Sequence, residues 1–170
     1  MSRYFENDVV TKWLIGSDED RDMELTADFA FVEPTERWDA PAGSVVNGAS
    51  IPSGLWSIVG SPFVGNYRRA AVIHDVYYRN HQGKTRKEVD DMFENAMLTD
   101  GVSAEKARLM YAGVRIGGGS AWDEADATRT TKAAPEVDWP EFEAWFESEG
   151  AGLNKESLDD SIEKRFGPIR

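Results

Sequence analysis

The sequence predicts an α+β fold: a small N-terminal β element, an antiparallel helix pair plus a third helix at the centre, and a helical C-terminal extension. Three observations carry that expectation. Val, Ile, Leu, Phe and Trp concentrate in residues 8–15 and 24–33. Apolar residues recur at helical spacing between residues 66 and 117, and again in two short segments after residue 137. Side-chain periods near 2 and near 3.6 separate strand from helix.

The elements follow in chain order. Residues 8–15 (DVVTKWLI) and 24–33 (ELTADFAFVE) read as two strands, with Leu25, Ala27, Phe29 and Phe31 on one side of the second. The acidic Ser17–Asp22 between them suits a turn, so a hairpin is expected inside a β element spanning 8–46. Pro34, Pro41, Pro52 and Pro62 and five glycines punctuate residues 34–65, which predicts turns and an irregular loop over 47–65. A loop of that length is uncommon in a domain unless it is functional.

Residues 66–117 predict three helices. Asn66–Asn80 puts Ala70, Ile73 and Tyr77 on one face, with Asn66 as its candidate cap. Thr85-Arg86-Lys87-Glu88 fits a capping box opening a helix over Arg86–Asp100, whose stripe is Val89, Phe93, Ala96 and Met97. Gly101 ends it, as glycine does beyond a helix C-terminus. Ser103 opens a third helix to Arg115, with Ala107, Met110, Tyr111 and Val114 in register, stopped by Gly117–Gly119. Residues 1–117 thus form the predicted domain and 118–137 a linker without periodicity. Residues 138–170 form an amphipathic extension. There, Asp138–Glu149 aligns Trp139, Phe142, Trp145 and Phe146, and Lys155–Phe166 aligns Leu158, Ile162 and Phe166.

Length and charge bound the function. A chain of 170 residues suits one domain plus extensions. It has no cysteine, which excludes a disulfide framework, a thiolate metal site and a cysteine nucleophile. Apolar runs fall short of the ~20 residues that span a bilayer, and the N-terminus does not read as a signal peptide. The net charge of −12 argues against nucleic-acid backbones, which require lysine and arginine to displace counterions. The charge is uneven. Residues 41–117 hold nine bases and seven acids, while both flanking arms are strongly acidic. Two readings fit that pattern: ordinary solvated surface, or a centre that faces an anion such as a lipid headgroup.

One constellation stands above this background, Ala71-Val72-Ile73-His74-Asp75-Val76-Tyr77-Tyr78. His74 and Tyr78, four apart, share a helix face, and Asp75 lies about 100° round. A short turn returns the next helix antiparallel, so Asp90 faces His74. A carboxylate on one ring nitrogen fixes the tautomer and leaves the other nitrogen as a base. Asp75 is a hard oxygen ligand suited to calcium, with loop carbonyls to complete its shell. A buried His–Asp pair with a purely structural role fits the same spacing. His81, in the polar turn, reads as exposed. Ser50 and Ser53 lack a G-x-S-x-G elbow and are set aside as nucleophiles.

Pro41-Ala42-Gly43, Asn47-Gly48-Ala49-Ser50-Ile51-Pro52, Trp56, Gly60, Pro62, Ala70-Ala71-Val72-Ile73-His74-Asp75 and Arg86…Asp90…Phe93…Ala96-Met97 come in an order that resembles the phage-associated domain of unknown function 1353, over roughly residues 24–117. The resemblance implies a bacteriophage protein, found in the host cytoplasm or the virion. Residues 66–97 are also similar to the phospholipase A2 superfamily core, whose helix motif is H-D-x-x-Y. That similarity implies His74 as the base that activates water, Asp90 as its orienting partner and Tyr78 as a brace. It implies Asp75 as a calcium ligand. Asn47, where the phage family usually has aspartate, would then add a neutral oxygen to the same ion.

Two functions are therefore expected to compete. The first is a calcium-dependent, phospholipase A2-like ester hydrolase acting on phospholipid or another acyl ester. Its loop side chains Leu55, Trp56, Ile58, Phe63 and Val64 would either meet lipid or cover the core. The second is a non-catalytic virion protein, tail- or capsid-associated, whose residues 138–170 dock phage structural proteins or fold back onto their own domain. A small host-directed binding protein is a third class, with no residue pointing to its target.

Overall fold

The structure is a computed structural model. It describes residues 2–16, 21–48, 50–61, 63–124 and 136–169. The fold is α+β, with strands at the N-terminus and helices thereafter.

Among the described residues, six short strands form two antiparallel sheets. They are β1 (Tyr4–Glu6), β2 (Thr11–Trp13), β3 (Met23–Leu25), β4 (Phe29–Val32), β5 (Arg37–Ala40) and β6 (Val45–Val46). One sheet has the order β1-β4-β5 and the other β2-β3-β6. The expected pairing of the first two apolar runs exists as β2 against β3, with Thr11 opposite Leu25. Part of the expected turn, residues 17–20, lies outside the described residues.

Residues 24–33 are not one strand. The Asp28 carboxylate accepts from the Ala42 amide at 2.8 Å, and Thr26 bonds back to the Val10 carbonyl. These bonds turn the chain from one sheet into the other. β1 is a further strand, outside the predicted 8–46, held by Phe5 stacked at 5.6 Å on Phe29.

The loop predicted over 47–65 contains a helix, α1 (Ser53–Val59). Its Gly54 sits where an added Cβ would collide with the Trp139 indole, so the glycine is the seat of a tryptophan from the C-terminal extension. Leu55 is buried, Trp56, Ile58 and Phe63 lie partly buried against the core, and Val64 is exposed. Most of the apolar loop set therefore covers the core.

The centre is α2 (Arg68–Asn80), α3 (Arg86–Thr99) and α4 (Ala104–Gly117). A 3₁₀ turn, Gly65–Tyr67, precedes α2, so Asn66 does not cap it. The capping box at Thr85 and the Ser103 cap are both present. Arg69 bonds Asp100 at one end of the first pair and Tyr78 bonds Asp90 near the other, which fixes α2 and α3 antiparallel.

Residues 119–124 of the predicted linker form a short helix, α5 (Gly119–Glu124), while residues 125–135 lie outside the described residues. Trp122 of α5 stacks on His81 at 3.9 Å and its carbonyl meets His81 Nε2 at 3.0 Å. His81 is therefore half-buried, where the sequence predicted exposure, because α5 closes over the α2–α3 turn.

Helices α6 (Trp139–Ser148) and α7 (Lys155–Phe166) fold back onto the domain. Phe142, Trp145, Phe146, Leu158 and Ile162 all enter the common core. The stripe that a docking partner would use is thus occupied within the chain. No helix among the described residues is long and apolar enough to cross a membrane.

Candidate functional site

The site grows from α2. His74 is fully buried, its ring 4.2 Å from that of Tyr78 and 4.4 Å from that of Phe93. His74 Nε2 lies 2.9 Å from Asp90 Oδ1, and the Tyr78 hydroxyl donates to the same oxygen at 2.7 Å. The other oxygen, Asp90 Oδ2, accepts from Arg115 Nη1 at 3.0 Å and has Arg86 Nη1 at 3.7 Å. Sequence spacing placed His74, Tyr78 and Asp90 together, and the structure brings them together.

Burial alone would raise the Asp90 carboxyl. The hydrogen bond from His74, with the Arg86 and Arg115 guanidiniums, outweighs it and holds Asp90 below the usual aspartate range. Burial and the neighbouring Asp90 push the Tyr78 hydroxyl well up, so it remains a donor. An ionised carboxylate only accepts, which assigns the Nε2 proton of a neutral imidazole to the Asp90 side. Nδ1 is then an acceptor, and Ser50 Oγ lies 3.1 Å from it.

Ser50 is the residue that sequence reasoning set aside. Nothing local marks it, because the contact spans 24 positions. It is delivered by Asp75. Asp75 Oδ2 accepts from the Asn47 and Gly48 amides at 2.8 and 3.3 Å, and Oδ1 accepts from the Ser50 amide at 3.2 Å. Gly48, at φ +74°, takes the left-handed conformation that this turn of the loop requires. The residue beside His74 thus grips the backbone of the loop that holds Ser50.

Those same donors decide the fit of calcium. The ion takes six to eight oxygen ligands. Asp75 instead meets three N–H groups, and the Arg79 guanidinium stands 3.9 Å away. The described loop residues present amides to Asp75, and Asn47 reaches it through its backbone N–H. Among the described residues no group of three or more His, Cys, Asp or Glu side chains is arranged to hold a metal. Asp75, with both oxygens taken by main-chain amides and a guanidinium beside it, does not fit calcium as placed here.

A cavity of about 560 Å³ opens on this loop. Asn47, Ser50, Asp75, Tyr78, Arg79 and Glu124 are among its walls. His74 is not; it stands behind Ser50. Arg115, also unforeseen, sits on the apolar face of α4 one turn after Tyr111. It continues the polar chain to Asp159 of α7, whose carboxylate accepts from the Tyr111 hydroxyl at 3.0 Å.

The comparisons with known proteins give a family and relatives. The family description "Protein of unknown function (DUF1353)" matches residues 23–114. The chain is 39% identical over 116 residues to the uncharacterized protein y4jT of Sinorhizobium fredii, covering 68% of this chain and 32% of that one. It is 41% identical over 91 residues to the uncharacterized protein y4iH of the same organism, covering 53% and 38%. The chain thus spans about a third of the length of the curated relatives it matches. No solved structure matches it.

Proposed function

The chain belongs to the DUF1353 family, and from the geometry around His74 we propose that it is an acyl-ester hydrolase whose general base is His74. The observation that supports this reading is the geometry of one imidazole. Ionised Asp90 holds Nε2, and Nδ1 is aimed toward the cavity wall. A base fixed in one tautomer and directed at the proton it must remove is the requirement for general-base catalysis. Arg86 and Arg115 keep Asp90 ionised, and the Tyr78 hydroxyl holds it in place. Arg79, a cavity wall, supplies positive charge for the oxyanion that forms when an ester carbonyl is attacked. The cavity volume suits one acyl ester, a phospholipid chain or a smaller ester alike.

The test uses purified protein with p-nitrophenyl acyl esters and with phospholipid vesicles, in calcium or in chelator. Release of acid is expected in both media and is abolished in His74→Ala. No release under any condition would sink the reading.

A second reading rests on burial. His74 and Asp90 are 0% exposed and every oxygen of Asp90 is bonded. The same set then serves as a rigid scaffold in a non-catalytic phage particle protein. Stoichiometric recovery from purified particles, with no esterase activity, favours it.

A further inference from the structure

We propose that Ser50 is the nucleophile of this site, and that it carries the acyl group as a covalent intermediate. The inference rests on the hydrolase reading above and changes what His74 acts on. Three observations carry it. The place at His74 Nδ1 where an activated water would stand is taken by Ser50 Oγ, 3.1 Å away. Ser50 walls the cavity and His74 does not, so a substrate in the cavity meets the hydroxyl before the imidazole. Asp75 and His74 are adjacent on α2, and Asp75 clamps the backbone amides of Asn47, Gly48 and Ser50, so hydroxyl and imidazole are held in register by one helix. Hydroxyl, imidazole and carboxylate then lie in sequence, Ser50–His74–Asp90, with the serine on Nδ1 and the carboxylate on Nε2. Triads of this kind are recognised by geometry and role, not by order in the chain or by a local motif.

The chemistry balances without a cofactor. Ser50 Oγ bonds to the ester carbonyl carbon as its proton passes to His74 Nδ1, and the carbonyl π pair moves onto oxygen. That oxyanion collapses, the C–O bond to the alcohol breaks, and the departing oxygen takes the proton from Nδ1. Water then attacks the acyl–Ser50 ester and gives a proton to Nδ1. The acid leaves, and Ser50 Oγ recovers its proton. The sum is ester plus water to acid plus alcohol.

The experiment treats the intact protein with a fluorophosphonate and, separately, with p-nitrophenyl acetate. Intact mass and peptide mapping are read for wild type, Ser50→Ala, Ser50→Cys and His74→Gln, each with its thermal melt. The expected result is one adduct per chain on the peptide carrying Ser50, absent in Ser50→Ala and His74→Gln. Turnover in Ser50→Ala falls by about 100-fold or more. If Ser50→Ala melts out, Ser50→Cys keeps a nucleophile of similar size, and its acylation by the acetate at residue 50 is the supporting result. Ester turnover that needs His74 but persists in Ser50→Ala, or in an unacylated Ser50→Cys, overturns this inference. It leaves the hydrolase reading standing, with water as nucleophile. Neither turnover nor adduct in the wild type overturns both.

Discussion

At the scale of residues, Asp90 is the pivot. One oxygen serves His74 and Tyr78 and the other serves Arg115, with Arg86 close by. Removing its charge leaves two buried guanidiniums facing a neutral group. Asp90→Asn is therefore expected to lower unfolding free energy by about 3–5 kcal/mol, measured by urea denaturation. Tyr78→Phe, which removes one hydrogen bond to a charged acceptor, costs about 1.5–3 kcal/mol in the same assay. The acid response follows from the same carboxylate. Its folded value lies below the unfolded one, near 3.8. Its contribution is therefore fully present above the unfolded value and is lost as pH falls through the folded one. Thermal melts from pH 6 to pH 2 are expected to show stability falling from about pH 4 downward, and the fall is shallower in Asp90→Asn.

At the scale of elements, the boundary between legible and hidden structure is the boundary between local and distant causes. The starts of α3 and α4 were legible because Thr85 and Ser103 bond amides three residues on. His74, Tyr78 and Asp90 were legible because one helical turn and one hairpin of helices bring them together. α1 was hidden because its Gly54 answers to Trp139, 85 positions away. The break in residues 24–33 was hidden because it depends on Ala42 donating to Asp28. Ser50 was hidden for a related reason, its placement being done by its own backbone on Asp75. The α1 contact is testable. Gly54→Val inserts carbon where the Trp139 indole lies, and overpacking of this kind costs about 1–3 kcal/mol. The expected signs are a lower melting temperature and a changed near-ultraviolet dichroism from the displaced tryptophan.

At the scale of the whole molecule, the extension after residue 136 is structural material of the domain. Arg108 donates to the Leu153 carbonyl at 3.0 Å, and Lys155 pairs with Glu94 at 2.7 Å. Tyr111 and Arg115 both meet Asp159, so α7 reaches the second layer of the candidate site. Phe142 is fully buried, its ring 6.0 Å from that of Phe166. Phe142→Ala is expected to cost about 3–5 kcal/mol and to lower the midpoint of one cooperative transition, followed by circular dichroism. A tail independent of the domain would leave that midpoint unmoved. With no cysteine in the chain, this continuous packing does the work of cross-links. The uneven charge has one structural counterpart, since Asp159 of the acidic C-terminal arm meets Arg115 of the basic centre.

The grip of Asp75 on the loop has an evolutionary consequence. It reads only main-chain amides, which nineteen of the twenty residue types supply. Mutational drift at position 47 therefore leaves the grip untouched unless it reaches proline. Asn47→Pro deletes a donor and is expected to lose both stability and ester turnover, as paired melts and rate assays would record. A lineage can rewrite the chemical character of this wall one side chain at a time while the register of hydroxyl and imidazole is inherited intact. Such a device leaves almost no signature for a motif to find.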